Sequence, residues 1–161
     1  MERIYIYLPL DGYLRQWAEK NLGNPIIFAS GSAENAIIKK NLVRSRGKEV
    51  QLNKDGCICI LAPTMSGKRP SEYNYFRKEG ISQLRESIET LFRIDMWYGI
   101  IPFLTQRDIR QKLFDWCKSK GITTEENYEA VRQKFYRIRK DYQQSGIILG
   151  KKYNKMAQTN P

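Results

Sequence analysis

Residues 124–144 read TEENYEAVRQKFYRIRKDYQQ and carry the clearest periodicity in the chain. Apolar side chains recur here at intervals of three and four residues, which is the period of one helix face. Gly121 lies just before this stretch and is a residue that commonly ends a helix in the left-handed conformation. A helix from about Thr124 to Gln144 is therefore predicted, with an apolar stripe made of Tyr128, Val131, Phe135, Ile138 and Tyr142.

Two further helices are predicted before this one. Residues 105–108, TQRD, match the S/T-x-x-D/E capping signature, and the apolar residues that follow have helical spacing. They predict a helix over about 105–119, which Gly121 would end. Another helical stripe begins at residue 81. Three helices with a tight turn between the last two are typical of a helix-turn-helix domain, here over 81–146.

The N-terminal part mixes strand and helix patterns. Alternation in the first residues predicts a strand, and continuous apolar runs are typical of buried strands. Ser32 is a candidate N-cap for a helix that carries Ile37, Ile38 and Leu42. The predicted elements are strands over 4–8, 25–29 and 57–62 and helices over 11–22 and from Ser32 to Leu42.

These patterns predict an α+β protein with a small N-terminal sheet and two helices, followed by a three-helix, helix-turn-helix-like domain. The segment that joins the two parts is rich in Pro, Gly, Ser, Lys and Arg and has no period, which favours a loop or linker. The predicted divisions are 1–62 as a small α/β unit, 63–80 as a basic loop or linker, 81–146 as the helical domain and 147–161 as a basic flexible tail.

The charge of the chain favours a polyanionic partner. Its 28 Lys and Arg residues exceed its 17 Asp and Glu residues, so the formal net charge is +11. Residues after 104 hold 13 of the basic residues and 6 of the acidic ones, a net +7 in the shorter part of the chain. A field of this strength attracts nucleic acid, and double-stranded DNA is the partner we expect.

The absence of histidine excludes several kinds of catalytic site. With no imidazole in the chain, Ser-His-Asp and Cys-His nucleophilic sites and His-ligated zinc sites cannot form. The three cysteines, Cys57, Cys59 and Cys117, have no CxxC spacing and are expected to be reduced, buried thiols. The acidic residues have no spacing typical of a metal-dependent nuclease. We expect no enzymatic activity, no metal and no cofactor.

The last predicted helix presents basic and amide groups opposite its apolar stripe. At about 100° per residue, four side chains lie on the outward arc, where Arg reads guanine and Gln reads adenine in a major groove. Flanking basic groups would neutralise phosphates. The predicted groove residues are Gln133, Tyr136, Arg137 and Lys140, and the predicted phosphate contacts are Arg132, Lys134, Arg139, Lys151 and Lys152.

Residues 130–139, AVRQKFYRIR, resemble the third helix of Myb-like and homeodomain-like DNA-binding domains. The layout of the chain, with a Tyr-rich opening strand and a basic helical end, also resembles small proteins of bacterial prophages and mobile elements. The resemblance implies a DNA-binding protein that is regulatory or accessory to a mobile element.

Several alternatives stay open. The basic face can be a solvated surface, or it can meet an acidic protein while the edge strand near residues 3–8 pairs with a partner. The aromatic residues Tyr73, Tyr75 and Phe76 lie near basic residues and allow single-stranded DNA or RNA as the partner. A homodimer would supply two recognition helices. No signal peptide or membrane-spanning run is recognised, so a cytoplasmic protein without a membrane partner is expected.

Overall fold

A computed structural model describes residues 2–10, 12–50, 52–53 and 55–146 of the chain. These residues form a mixed helical and sheet structure, which confirms the predicted α+β class. The chain divides into two compact units, Met1–Arg93 and Ile94–Pro161. The elements are β1 (Tyr5–Pro9), α1 (Gly12–Asn21), α2 (Ala33–Asn41), β2 (Leu42–Val43), β3 (Cys57–Leu61), β4 (Tyr75–Phe76), α3 (Lys78–Ile100), a 3-10 turn (Ile101–Phe103), α4 (Ile109–Ser119) and α5 (Glu125–Gln144).

Unit 1 contains two small antiparallel sheets. In the first sheet, β1 pairs with β3, and Ile6 and Leu8 lie opposite Ile60 and Ile58. These four side chains are buried, because alternate residues of a strand point to the same face. The strands predicted over 4–8 and 57–62 are therefore confirmed to within a residue.

The strand predicted over 25–29 is wrong. Only Ile26 pairs with the sheet, where its N–H donates to the carbonyl of Cys59 at 2.8 Å. The carbonyl oxygens of residues 28 and 29 instead accept hydrogen bonds from the side-chain amide of Asn35. A side chain therefore supplies hydrogen bonds to these two carbonyl groups, which do not need a neighbouring strand as their partner.

The first two helices agree with the sequence pattern except at one end. Helix α1 buries Leu14, Trp17 and Ala18. Ser32 caps α2, because its hydroxyl accepts a hydrogen bond from the N–H of Asn35 at 3.2 Å. Leu42 was expected within this helix, but it begins β2 and pairs with Phe76 in the second sheet.

Helix α3 contributes residues to both units. Within unit 1 its apolar stripe of Leu84, Ile88 and Phe92 is fully buried. The ring of Phe92 lies 4.9 Å from that of Tyr13 and 5.6 Å from that of Trp17. These contacts complete the core of unit 1 around α1 and the sheet.

In unit 2, α4 begins at Ile109 rather than at the predicted Thr105. Asp108 occupies the N-cap position without a side-chain hydrogen bond. Thr105 lies in a turn that continues from the 3-10 helix, where the N–H of Gln106 donates to the carbonyl of Phe103 at 3.0 Å. The capping signature at residues 105–108 therefore does not start the helix.

Candidate nucleic-acid interface

The turn between α4 and α5 is closed by backbone hydrogen bonds. Gly121 has a φ of +84°, as predicted for the residue that ends α4. The N–H of Ile122 donates to the carbonyl of Cys117 at 2.9 Å, and the N–H of Gly121 donates to Lys118 at 3.3 Å. This pair of bonds is the Schellman motif. Ile122, which follows Gly121, is buried. The turn has a defined geometry.

Thr124 starts α5. Its hydroxyl oxygen accepts a hydrogen bond from the N–H of Asn127 at 3.4 Å. Glu125 and Glu126 follow in the first turn, where carboxylates interact favourably with the positive end of the helix dipole. The start of the helix is therefore set by its own sequence.

Two residues of the apolar stripe anchor α5 in unit 2. Val131 and Phe135 are fully buried, and the Phe135 ring lies 5.3 Å from that of Trp97. Tyr128 packs edge-on against Phe114 of α4 at 5.1 Å. The last residue of the stripe, Tyr142, is 42% exposed, so the end of α5 extends beyond the core.

The opposite side of α5 faces solvent. Gln133, Arg137 and Lys140 are exposed. Tyr136 is half-buried, and its ring packs edge-on against Phe135 at 5.1 Å. Of the four predicted groove residues, three are therefore exposed, and Tyr136 is half-buried against Phe135.

Glu129 occupies a central position among the predicted contacts, and it was not anticipated. Its carboxylate accepts two hydrogen bonds from the guanidinium of Arg132, one of them from Nε at 2.8 Å. Gln133 Nε2 donates to the same carboxylate at 3.4 Å. The hydrogen bond from Arg132 lowers the pKa of Glu129, and the same bond raises the pKa of Arg132. The spacing of three and four residues is the sequence signal for these pairs.

The remaining predicted contacts differ in their surroundings. Arg139 is half-buried and donates from Nη2 to the carbonyl of Leu104 at 3.4 Å. Lys134 is half-buried. Lys151 and Lys152 lie outside the described residues.

Arg110 of α4 is a further basic residue beside this face. It is exposed, its carbonyl accepts a hydrogen bond from the Tyr128 hydroxyl at 3.5 Å, and its charge contributes to the lowered pKa of Glu129. Sequence reasoning missed it because the α4 stripe alone does not show which of its polar residues lie near α5.

The acidic and thiol side chains of the described residues are not gathered into a metal-binding cluster. Among these residues, no group of three or more Cys, Asp or Glu residues could hold a metal ion. The three cysteines are free, and burial raises the pKa of Cys117 to about 12 and also raises that of Cys59. Protonated thiols are poor nucleophiles and poor metal ligands. No helix formed by these residues has the length and apolar character needed to span a bilayer.

Comparison with known proteins finds no relative of the chain. No protein-family model matches the chain, and no curated protein and no solved structure matches it.

Proposed function

We propose that the chain is a non-enzymatic, duplex-DNA-binding protein that reads DNA with α5. In this proposal the end of α3, together with α4 and α5, forms a helix-turn-helix-like unit. Helix α5 is its recognition helix, and the Schellman turn sets the angle at which α5 leaves α4.

The observation that carries the proposal is the division of α5 into an anchored face and an exposed basic face. Val131 and Phe135 are buried, whereas Gln133, Arg137 and Lys140 face solvent. An exposed helix of this width fits a major groove, where Arg pairs with guanine and Gln pairs with adenine. Burial of the other face gives the helix the rigidity that positions base contacts.

Phosphate contacts would come from Arg132, Lys134, Arg139, Lys151 and Lys152. Their contributions should be unequal, since Arg132 must exchange Glu129 for a phosphate and Arg139 must give up a backbone carbonyl. Each phosphate that is neutralised releases counterions and adds to the salt dependence of binding.

The first experiment is a fluorescence anisotropy titration of the full chain with duplex DNA, single-stranded DNA and duplex RNA at two salt concentrations. Tighter and steeply salt-dependent binding to duplex DNA supports the proposal. Preference for single-stranded DNA or RNA would reject groove reading and favour that alternative. Absence of binding to all three at low salt would reject nucleic acid as the partner.

Two variants separate base reading from phosphate contact. Arg137→Ala should weaken binding to a selected site more than to random duplex, because base contacts carry the sequence information. Lys151→Ala should weaken both equally and reduce the salt slope by about one unit. Equal losses on both duplexes for Arg137→Ala would reject its assignment to the groove.

A role as a regulatory or accessory protein of a mobile element is supported by the layout resemblance alone. A homodimer would place two copies of α5 on a symmetric site with half-sites one helical turn apart. Sedimentation of the protein with and without duplex DNA tests this arrangement.

A protein-interaction module is the second candidate, and the edge of the first sheet favours it. Among the described residues, β1 pairs with β3 along one side only. Edge strands of this kind can add a partner strand. Pro9 lacks the N–H that a ladder needs, so the available edge is short.

A further inference from the structure

A second basic surface lies in unit 1, away from α5 in the sequence. It is built on a tight turn at residues 45–48, in which the N–H of Lys48 donates to the carbonyl of Ser45 at 2.8 Å. The turn is attached to the following segment, because the N–H of Ser45 donates to the carbonyl of Glu72 at 3.1 Å.

Tyrosine rings hold the cations of this surface. The Arg44 guanidinium and the Lys68 ammonium lie 5.1 and 5.5 Å from the centre of the Tyr73 ring. The Lys48 ammonium lies 4.8 Å from the Tyr75 ring. Such contacts orient a cation without neutralising its charge. The tyrosine-backed basic patch comprises Arg44, Arg46, Lys48, Lys68, Tyr73 and Tyr75.

The charge of unit 1 is concentrated around this patch. Residues 39–78 contain ten Lys and Arg and three Asp and Glu, a net +7. The other residues of unit 1, up to residue 93, contain five basic and seven acidic residues, a net −2. Glu72 offsets part of the field, since its carboxylate lies 3.3 Å from Arg44. A local excess of this size favours a polyanion at this place.

The backbone conformation of Arg46 is an observation about the patch that is independent of its charge. Its φ is +44°, a region that side chains other than Asn, Asp and Gly rarely occupy, and Gly47 follows at +78°. The side chain is exposed, and no carboxylate in the described ranges pairs with it. A strained backbone that presents an exposed cation at the tip of a turn is typical of a functional position.

We infer that the tyrosine-backed basic patch binds the phosphodiester backbone of nucleic acid without reading bases. Cations cover a face of both tyrosine rings, so phosphate contact is favoured over base stacking. Lys68 uses its ammonium to donate to the carbonyls of Lys39 and Leu42 at the end of α2, which places it rigidly within the patch. This inference rests on the proposed function for one point, that the bound polymer is nucleic acid. It places the contact in unit 1, whereas the proposed recognition helix α5 belongs to unit 2.

The test compares two full-chain variants that each remove two positive charges. Arg46→Gly with Lys48→Ala alters the patch, and glycine also relieves the strained turn, so thermal stability should be retained or raised. Lys20→Ala with Arg85→Ala is the matched control, since both residues are exposed helix positions outside the patch. Binding is measured by anisotropy on a random duplex and on an oligo-dT strand at several salt concentrations.

We expect the patch variant to lose affinity roughly tenfold on the random duplex and to reduce its salt slope by about two, while the control changes little. Equal affinities of the two variants would overturn the inference. Arg137→Ala, measured in parallel on a selected duplex site, distinguishes the two proposals. Loss in the patch variant on the random duplex, with no loss in Arg137→Ala on the selected site, would reject recognition by α5 and keep the patch. The reverse result would reject the patch and keep α5. Absence of binding by the unmodified chain would reject both.

Discussion

Gly99 permits close packing of α3 and α4 within unit 2. A Cβ atom at this position would overlap the indole of Trp116, which is buried. Gly99→Ala should therefore lower the free energy of unfolding by about 1–3 kcal/mol, although alanine is the better helix former. Urea denaturation measures the change. The neighbouring Tyr98 is 79% exposed, so Tyr98→Ala should cost less than about 0.5 kcal/mol. A stabilised Gly99→Ala would contradict the packing.

Glu129 restrains donors on the proposed recognition face. Removing its charge with Glu129→Gln should tighten binding to duplex DNA several-fold, because Arg132 becomes available to phosphate and one repulsive charge is lost. Glu126→Gln makes the same change of charge in the first turn of α5 and should have a smaller effect. Anisotropy at fixed salt compares the two. Equal gains would mean that net charge alone, rather than release of Arg132, controls affinity.

Thr124 and Thr105 both match helix-capping signals in the sequence, but only Thr124 caps a helix. Thr124 caps α5, so Thr124→Ala should destabilise the protein by about 1 kcal/mol. Thr105 matches a capping signature but lies in a turn before α4, so Thr105→Ala should change stability by less than about 0.5 kcal/mol. Chemical denaturation of both variants tests the assignment. A larger loss for Thr105→Ala would restore the helix start that the sequence predicts.

The long periodic helix α5 was easier to predict than the short strands without alternation. A stripe with 3.6-residue period over twenty residues is hard to produce by chance, and α5 extends over the residues that it predicts. A five-residue apolar run such as 25–29 is too short for its pattern to repeat, so it is a weaker predictor of structure. Whether it joins a sheet depends on which group bonds its backbone, and there the Asn35 amide replaces a strand. Two-residue strands such as β2 and β4 carry no periodic signal at all.

The whole molecule should show an unusual pH profile of stability. The chain has no histidine, the side chain that ordinarily titrates near neutral pH, so stability should be flat between about pH 6 and 8. Burial raises the pKa of Cys117 from 9.0 to about 12. Above about pH 9 the unfolded chain releases this proton while the folded chain retains it, so the Cys117 contribution to stability falls as pH rises.

Urea midpoints at pH 6, 7, 8 and 10 test this profile. Cys117→Ala is the control, because it lacks the thiol while other groups titrate as before. The urea midpoint of Cys117→Ala should fall less between pH 8 and pH 10 than the midpoint of the unmodified chain. A change in the urea midpoint centred near pH 6.5, or equal falls of the midpoint in both proteins between pH 8 and pH 10, would contradict the explanation.

The sequence by itself determined the helical periods, the basic character of the chain and the absence of imidazole chemistry, because these depend on residue identity and near-neighbour spacing. It also indicated which face of α5 is apolar. Only the tertiary structure decided that Arg139 reaches the carbonyl of Leu104, that Tyr73 lies beneath Arg44, and that Ile26 bridges to Ile60 of the first sheet. These contacts join residues far apart in the chain, and no local pattern specifies which distant groups will meet when the cores of the two units form.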